Sequence, residues 1–431
     1  MLYQILKPIV TVAIRVFYKR IEIANGERLN EDSPTLLIAN HSNSFMDALV
    51  VGIFSERKVY SLARGDAFKK KFVARILEGM RIIPIFRREE GKQELSKNEA
   101  TFERCVKLLE AKEVVTIYPE SVSVTEKRLR KLRKGAARIA LRAEEENNFE
   151  LNLRVLPVGI NYSNAKNFRS DVYVNVGEPI QLKEFKELYK TDAAKAIIAL
   201  TQKMETALKE VMVNVSAGMD EVYENAVDIL HEKYSDEKSL KAEQQSNVRV
   251  AMQLNALQKN DSAKFELLKE SSLQHSEISK MLEIPVKGFT KKNIERATML
   301  SLLLQFILLQ LGLLLHVAGL VFNYLPYRLA YKTADKVKQI HFHASVNFAI
   351  GMFGWLLYYL LQLILIGLVS KSILITAVFA LFIPATGMFS IHYYSFFKKV
   401  LVRYQIFKFR YSNKELWDKL IEQREALFFC S

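Results

Sequence analysis

Cysteine is nearly absent. The 431 residues hold two, Cys105 and Cys430, so no disulfide framework can support the fold. Seven histidines occur at no metal-ligand spacing with cysteine or carboxylate, and neither a metal nor a cofactor is expected. Nine prolines and sixteen glycines are too few for a collagen-like chain, and with half the residues apolar the chain is not disordered. Charges interrupt the N-terminal apolar stretch and no small-residue cleavage site follows it, so a signal peptide is not expected. Acid is also short, with 47 Asp and Glu against 62 Lys and Arg, a net charge of +15. No recognised nucleic-acid module accompanies that charge, so nucleic acid is not expected as a partner.

What is present divides the chain, whose length calls for two or three units. Residues 297–431 hold 13 basic and 5 acidic side chains, residues 1–296 hold 49 and 42. The C-terminal part has three uncharged runs, of 31 residues (297–327), 27 (344–370) and 26 (372–397). About 20 apolar residues cross a bilayer as a helix, so each run is long enough. The connector after the first run carries Arg328, Lys332, Lys336 and Lys338, and 398–411 carries five bases and no acid. Positive charge favours the cytoplasmic side, so the second and third runs read as a hairpin with both ends cytoplasmic. The first run has basic flanks at both ends. It is expected to dip in and return near Gly312, Gly319 or Asn323, three full crossings being the alternative. The protein is therefore read as integral to a membrane, with lipids as partners.

At the other terminus, Leu2, Ile5, Leu6, Ile9, Ala13, Val16 and Phe17 recur at helical spacing, which predicts an interfacial amphipathic helix within 1–25. A core-packing helix is the alternative. Strand-like runs follow at 35–39, 58–62, 81–86, 113–118, 153–161 and 172–176, with helical patterns at 92–111, 134–146 and 192–213. The alternation predicts an α/β unit, a mostly parallel sheet with flanking helices over 26–214, followed by a C-terminal α-helical membrane domain over 297–411. Residues 215–296 read as a helical connector or insert, and 412–431 as a basic amphipathic tail.

Sites in such sheets lie past the carboxyl ends of the strands. The run 35–39 leads into Asn40-His41-Ser42-Asn43-Ser44-Phe45-Met46-Asp47. His41 and Asp47 can meet only if the histidine sits on the turn and the aspartate reaches back from the first helical turn. Ser42, Asn43 or Ser44 would cap that helix. The pair suits general base work, the imidazole taking a proton and the carboxylate orienting it. Arg87 and Arg88 end another strand and can fork onto a phosphate. Tyr118-Pro119-Glu120 ends a third, and Pro157 interrupts a buried strand. Eight bases fall between Lys127 and Arg142 with a single acid beside them, Glu126.

In this order the segments resemble the glycerolipid acyltransferases, over roughly 30–185, nearest the branch that acylates glycerol-3-phosphate or dihydroxyacetone phosphate. His-Ser-Asn-Ser-Phe-Met-Asp is similar to that branch's H-x-N-x-F-x-D, one residue longer than the commoner H-x4-D. Pro119-Glu120 matches the third block, whose Gly, Thr and Arg positions hold Ser121, Val122 and Ser123 here. The missing glycine removes easy access to positive φ. The resemblance implies that His41 and Asp47 are catalytic. It also implies that Arg87, with Arg88, binds the acceptor phosphate, and that Glu120, Ser123 and Lys134 contact acceptor or donor. Acyl-CoA or acyl carrier protein would be co-substrate, with the catalytic domain on the cytoplasmic face. Cys105, in a predicted helix, is read as structural. A lysophosphatidate or other lysolipid acceptor, or a non-catalytic lipid-binding protein of the same fold, are the other readings.

Overall fold

A computed structural model describes residues 2–86, 96–234, 239–285 and 288–430. The chain forms two compact units, 1–214 with 339–345, and 215–338 with 346–431.

The first unit is built on one eight-stranded sheet in the order β1-β7-β6-β2-β5-β3-β4, with β8 also on β6. β2 (Thr35–Ala39) is central, parallel to β5 (Val114–Ile117) on one side and β6 (Arg154–Tyr162) on the other. All five β2 residues are buried, as an uninterrupted apolar run demands of a strand covered on both faces. β3 (Val59–Arg64) and β4 (Ile82–Ile85) continue the parallel part. On the far side β7 (Asp171–Val176) runs antiparallel to β6 and parallel to β1 (Arg20–Ala24), and β8 (Ile180–Gln181) is antiparallel to the start of β6. The sheet is thus mostly parallel with an antiparallel part.

Pro157 is tolerated inside β6 because β6 changes partner there. β8 pairs only with 154–155 and β7 only with 158–162, and the Pro157 carbonyl accepts Gly177 N–H at 2.9 Å. Its missing N–H therefore faces a gap in the ladder.

Helix α1 (Leu2–Phe17) precedes β1. Residues 20–24 are strand, so the expected helical segment 1–25 ends early; R-I-E-I-A alternates as an edge strand does. Ile14, Phe17 and Tyr18 are buried, while Ile9, Val12 and Val16 are exposed. The helix serves the core on one face and leaves an apolar stripe on the other. Further helices are α2 (Phe45–Phe54), α3 (Lys71–Gly79), α4 (Asn98–Glu110), α5 (Gly135–Glu146) and α6 (Ala193–Val211). The helix expected over 92–111 starts at Asn98 among the described residues. Ala136, Ala137, Ile139, Ala140 and Ala143 of α5 are fully buried, and their small side chains let it lie close in the core.

The second unit is helical: α7 (Asp220–Tyr234), α8 (Leu240–Asn260), α9 (Ser262–Met281), α10 (Met299–Asp335), α11 (His343–Ser370), α12 (Ile373–Ser412) and α13 (Lys414–Cys430). Three of these, α10, α11 with the turn before it, and α12, are long and apolar enough to cross a membrane. The expected turn-back within 297–327 is not found. α10 is one continuous helix of 37 residues, about 55 Å. The small residues that suggested a bend serve helix contact instead. A Cβ on Gly319 would stand 2.3 Å from the Thr386 carbonyl, and Asn323 donates to the carbonyls of Gly319 and Ile383 while accepting Trp355 Nε1–H at 2.9 Å. Small residues and amide side chains are what binds helices where water cannot.

The tail is not basic. Residues 412–431 hold three bases and four acids, and Trp417 and Leu420 of α13 pack with Ile278, Phe289, Ile406 and Phe409.

Candidate active site

β2 delivers the site. Past its last residue, Asn40 extends the β2–β6 ladder with its side chain, accepting Ile160 N–H at 2.7 Å and donating to the Ile160 carbonyl at 3.0 Å. The next residue, His41, sits on the turn. The chain reverses at Ser44, held at φ 46°, and α2 begins at Phe45. Asp47 lies in the first helical turn and reaches back, its Oδ2 2.9 Å from His41 Nδ1. One extra residue between the two is absorbed by this strained turn. No side-chain cap forms, and Ser44 N–H instead donates to Ser123 Oγ at 2.9 Å.

Asp47 is fully buried and every described contact is a donor to its charge. Oδ2 also accepts Asn43 N–H at 2.9 Å, and Oδ1 accepts the Tyr162 hydroxyl at 2.7 Å. Asn43 is fixed in turn by the Ala165 carbonyl at 2.7 Å and the Tyr18 hydroxyl at 3.4 Å. Tyr118 stacks on the imidazole, centroids 4.2 Å apart. Burial, and then the Asp47 charge, hold the hydroxyls of Tyr18, Tyr118 and Tyr162 well above the ordinary phenol value, so all three stay neutral. His41 keeps 18% of its side chain exposed, and its Nε2 has no hydrogen bond among the described residues. An imidazole oriented through Nδ1 and open at Nε2 is arranged to take a proton.

Glu120 acts from behind. Its carboxylate accepts His41 N–H (2.8 Å) through one oxygen and Arg130 N–H (3.0 Å) through the other. Burial raises its pKa and outweighs these two bonds, which lower it. Glu120 thereby ties the loop after β5 to the loop after β2, and Val124 N–H to the His41 carbonyl adds a second tie at 3.1 Å. Ser121 takes the glycine position of the third block and does adopt positive φ, 62°.

The expected site residues therefore have different fates. His41 and Asp47 meet. Glu120 and Ser123 are brought to them, but their described partners are backbone N–H groups, not positions open to a substrate. Lys134 begins α5 with its side chain exposed. Arg87 and Arg88 lie outside the described residues. Of the basic run, Arg128 and Arg130 both pair with Glu126 at 2.9 Å, and Lys127 donates to the Tyr162 carbonyl. Lys131, Arg133, Lys134 and Arg138 are exposed. Tyr162, Tyr18 and Asn43 were not singled out from the sequence. Only Asn43, within the motif, carried a local signal. Among the described residues no group of carboxylates, histidines and cysteines is arranged to hold a metal.

A mostly parallel α/β sheet with a His–Asp pair beyond its central strand is an arrangement suited to general-base chemistry. Residues 20–161, about a third of the chain, match the model of the Acyltransferase family. Among solved structures the chain resembles the crystal structure of the 1-acyl-sn-glycerophosphate (LPA) acyltransferase PlsC from Thermotoga maritima. The likeness is at 16% identity over 48% of this chain and 78% of that one, TM-score 0.34. No curated protein matches the chain.

Proposed function

We propose that the chain is a membrane-bound O-acyltransferase. It moves a fatty acyl group from acyl-CoA or acyl carrier protein to a hydroxyl of glycerol-3-phosphate, or of dihydroxyacetone phosphate. The observation that carries this reading is the His41–Asp47 contact with Nε2 left open. Nε2 removes the acceptor hydroxyl proton as the oxygen attacks the thioester carbonyl. Asp47 holds the tautomer and stabilises the imidazolium, the tetrahedral intermediate collapses, the C–S bond breaks, and the imidazolium returns the proton to the departing sulfur. Transfer is direct. Cys105 is fully buried, and burial pushes its thiol up to about 12, the opposite of a nucleophile.

Arg87, assisted by Arg88, is assigned to the acceptor phosphate, and the exposed bases Lys131, Arg133 and Lys134 to the anionic donor. The three long apolar helices supply membrane insertion, and the basic 398–411 segment favours the cytoplasmic side for the catalytic domain.

Acyl transfer by the purified chain in detergent tests this, with labelled acyl-CoA and acyl carrier protein as donors. Glycerol-3-phosphate, dihydroxyacetone phosphate and lysophosphatidate are compared as acceptors, each with His41→Ala. Product with one of the first two, lost at least about 100-fold in the variant, is expected. Product only with lysophosphatidate would change the acceptor. Activity that survives the variant would end the mechanism.

A further inference from the structure

A cleft bordered by cations lies in the first unit at the other end of the sheet from His41. The active-site turn follows the end of β2, whereas this cleft opens where β3 and β4 begin, so a strand length of about 15–20 Å separates them. It is an open cleft of about 640 Å3 between α1 and the stretches around 56–58 and Arg81.

Four cations border it, Lys7, Arg57, Lys58 and Arg81, against one acid, Glu56. Two of the four are committed. Arg57 donates to the carbonyls of Glu31 and Ser33, and Lys58 pairs with Glu113 at 2.9 Å. The other two are not. Lys7 makes one bond, to the Ser55 carbonyl at 2.5 Å, leaving two ammonium donors. Arg81 lies 4.1 Å over the ring of Tyr3 and, among the described residues, no carboxylate meets it. Burial and then the Arg81 charge hold the Lys7 pKa below its ordinary value, and the Glu56 charge offsets this only in part.

The outer face of α1 adds a second, independent observation. Ile9, Val12 and Val16 are exposed along one stripe of the helix, and Val12 reaches the cleft wall. An apolar stripe that ends at an under-neutralised cation pair has the two parts that a phospholipid offers, acyl chain and phosphate. We propose that the Lys7–Arg81 cleft binds the phosphate of an anionic phosphate ester, a site separate from the catalytic one. The guanidinium grips two phosphate oxygens and the ammonium a third. The proposal does not depend on the acyl-transfer reading.

The test is binding of fluorescent dioctanoyl phosphatidic acid to the full chain in neutral detergent, followed by anisotropy. The parent should bind saturably and the phosphatidylcholine analogue much more weakly. The double variant Lys7→Gln/Arg81→Gln should bind about tenfold or more weakly than the parent, two charge-assisted contacts being lost. Lys7→Arg/Arg81→Lys should recover binding to within about threefold, which separates charge from misfolding. Inorganic phosphate as competitor identifies the source. Full displacement at millimolar concentration means a free phosphate ligand, and no displacement means a lipid headgroup. Equal binding by parent and the glutamine variant, equal binding of phosphatidylcholine, or no binding at all would overturn the proposal.

Discussion

The Tyr162 hydroxyl, fully buried at the end of β6, donates to Asp47 Oδ1 at 2.7 Å, on the oxygen that His41 does not use. The carboxylate is thus held from both sides, by a phenol that stays neutral and by the imidazole it orients. Tyr162→Phe removes one bond to a charged acceptor, an effect of about 1.5–3 kcal/mol. The expected result is a kcat lowered by roughly tenfold or more with KM little changed, since the tyrosine touches Asp47 and not the substrate. The pH–rate profile should shift with it, because Asp47 sets the imidazolium. An equal fall in kcat in a steady-state assay with no change of profile would reduce Tyr162 to a packing residue.

Ser121 carries the one backbone strain in the third block. At φ 62° a serine is tolerated, and a β-branched residue is not. Ser121→Val should lower stability by about 1–3 kcal/mol and loosen the loop that holds Glu120 against His41 N–H. Ser121→Gly should keep both stability and activity. Thermal unfolding and acyl transfer of the two variants side by side check this; a fully active, fully stable valine variant would refute it.

Cys105 should be inert. With its thiol near 12 and no exposed surface, about one molecule in ten thousand carries the thiolate at pH 8. Iodoacetamide at that pH should label Cys105 only after denaturation, and Cys105→Ser should transfer acyl groups at about the parent rate. Loss of chemistry in a folded Cys105→Ser protein would point to an acyl-enzyme.

His275 of α9 gives the helical unit an acid sensitivity. The ring is fully buried, both nitrogens lack hydrogen bonds among the described residues, and Phe289 meets it at 5.6 Å. Burial, with a smaller push from Arg424, lowers its pKa from 6.5 to about 4. The folded state therefore needs the neutral ring. Its stability is complete above pH 6.5 and is lost as pH falls toward 4, by up to about 3 kcal/mol. Thermal unfolding of the full chain in detergent between pH 7 and 4 should show this decline, and His275→Leu should flatten it.

How far the site was legible depended on distance along the chain. His41 and Asp47 stand in one turn after a buried strand, so their meeting followed from helical geometry. Tyr162 lies 115 residues from Asp47 and carries no signal of its own; only the parallel pairing of β2 with β6 brings it there. Glu120 was legible as a member of the third block, while its partners, two backbone N–H groups from separate loops, were not. Gly312, Gly319 and Asn323 were legible only as a bend, and the close approach of Thr386 to Gly319 shows a helix contact instead.

By itself the sequence determined what is local: the α/β alternation, the three uncharged runs, and the His–Asp turn. Periodicity and charge act over one or two turns of chain, and they suffice for that much. The tertiary structure alone decided the rest. Buried donors and acceptors must be paired wherever the chain can supply a partner, and that partner came from β6 for Asp47 and from backbone amides for Glu120. The same accounting left Lys7 and Arg81 with donors to spare.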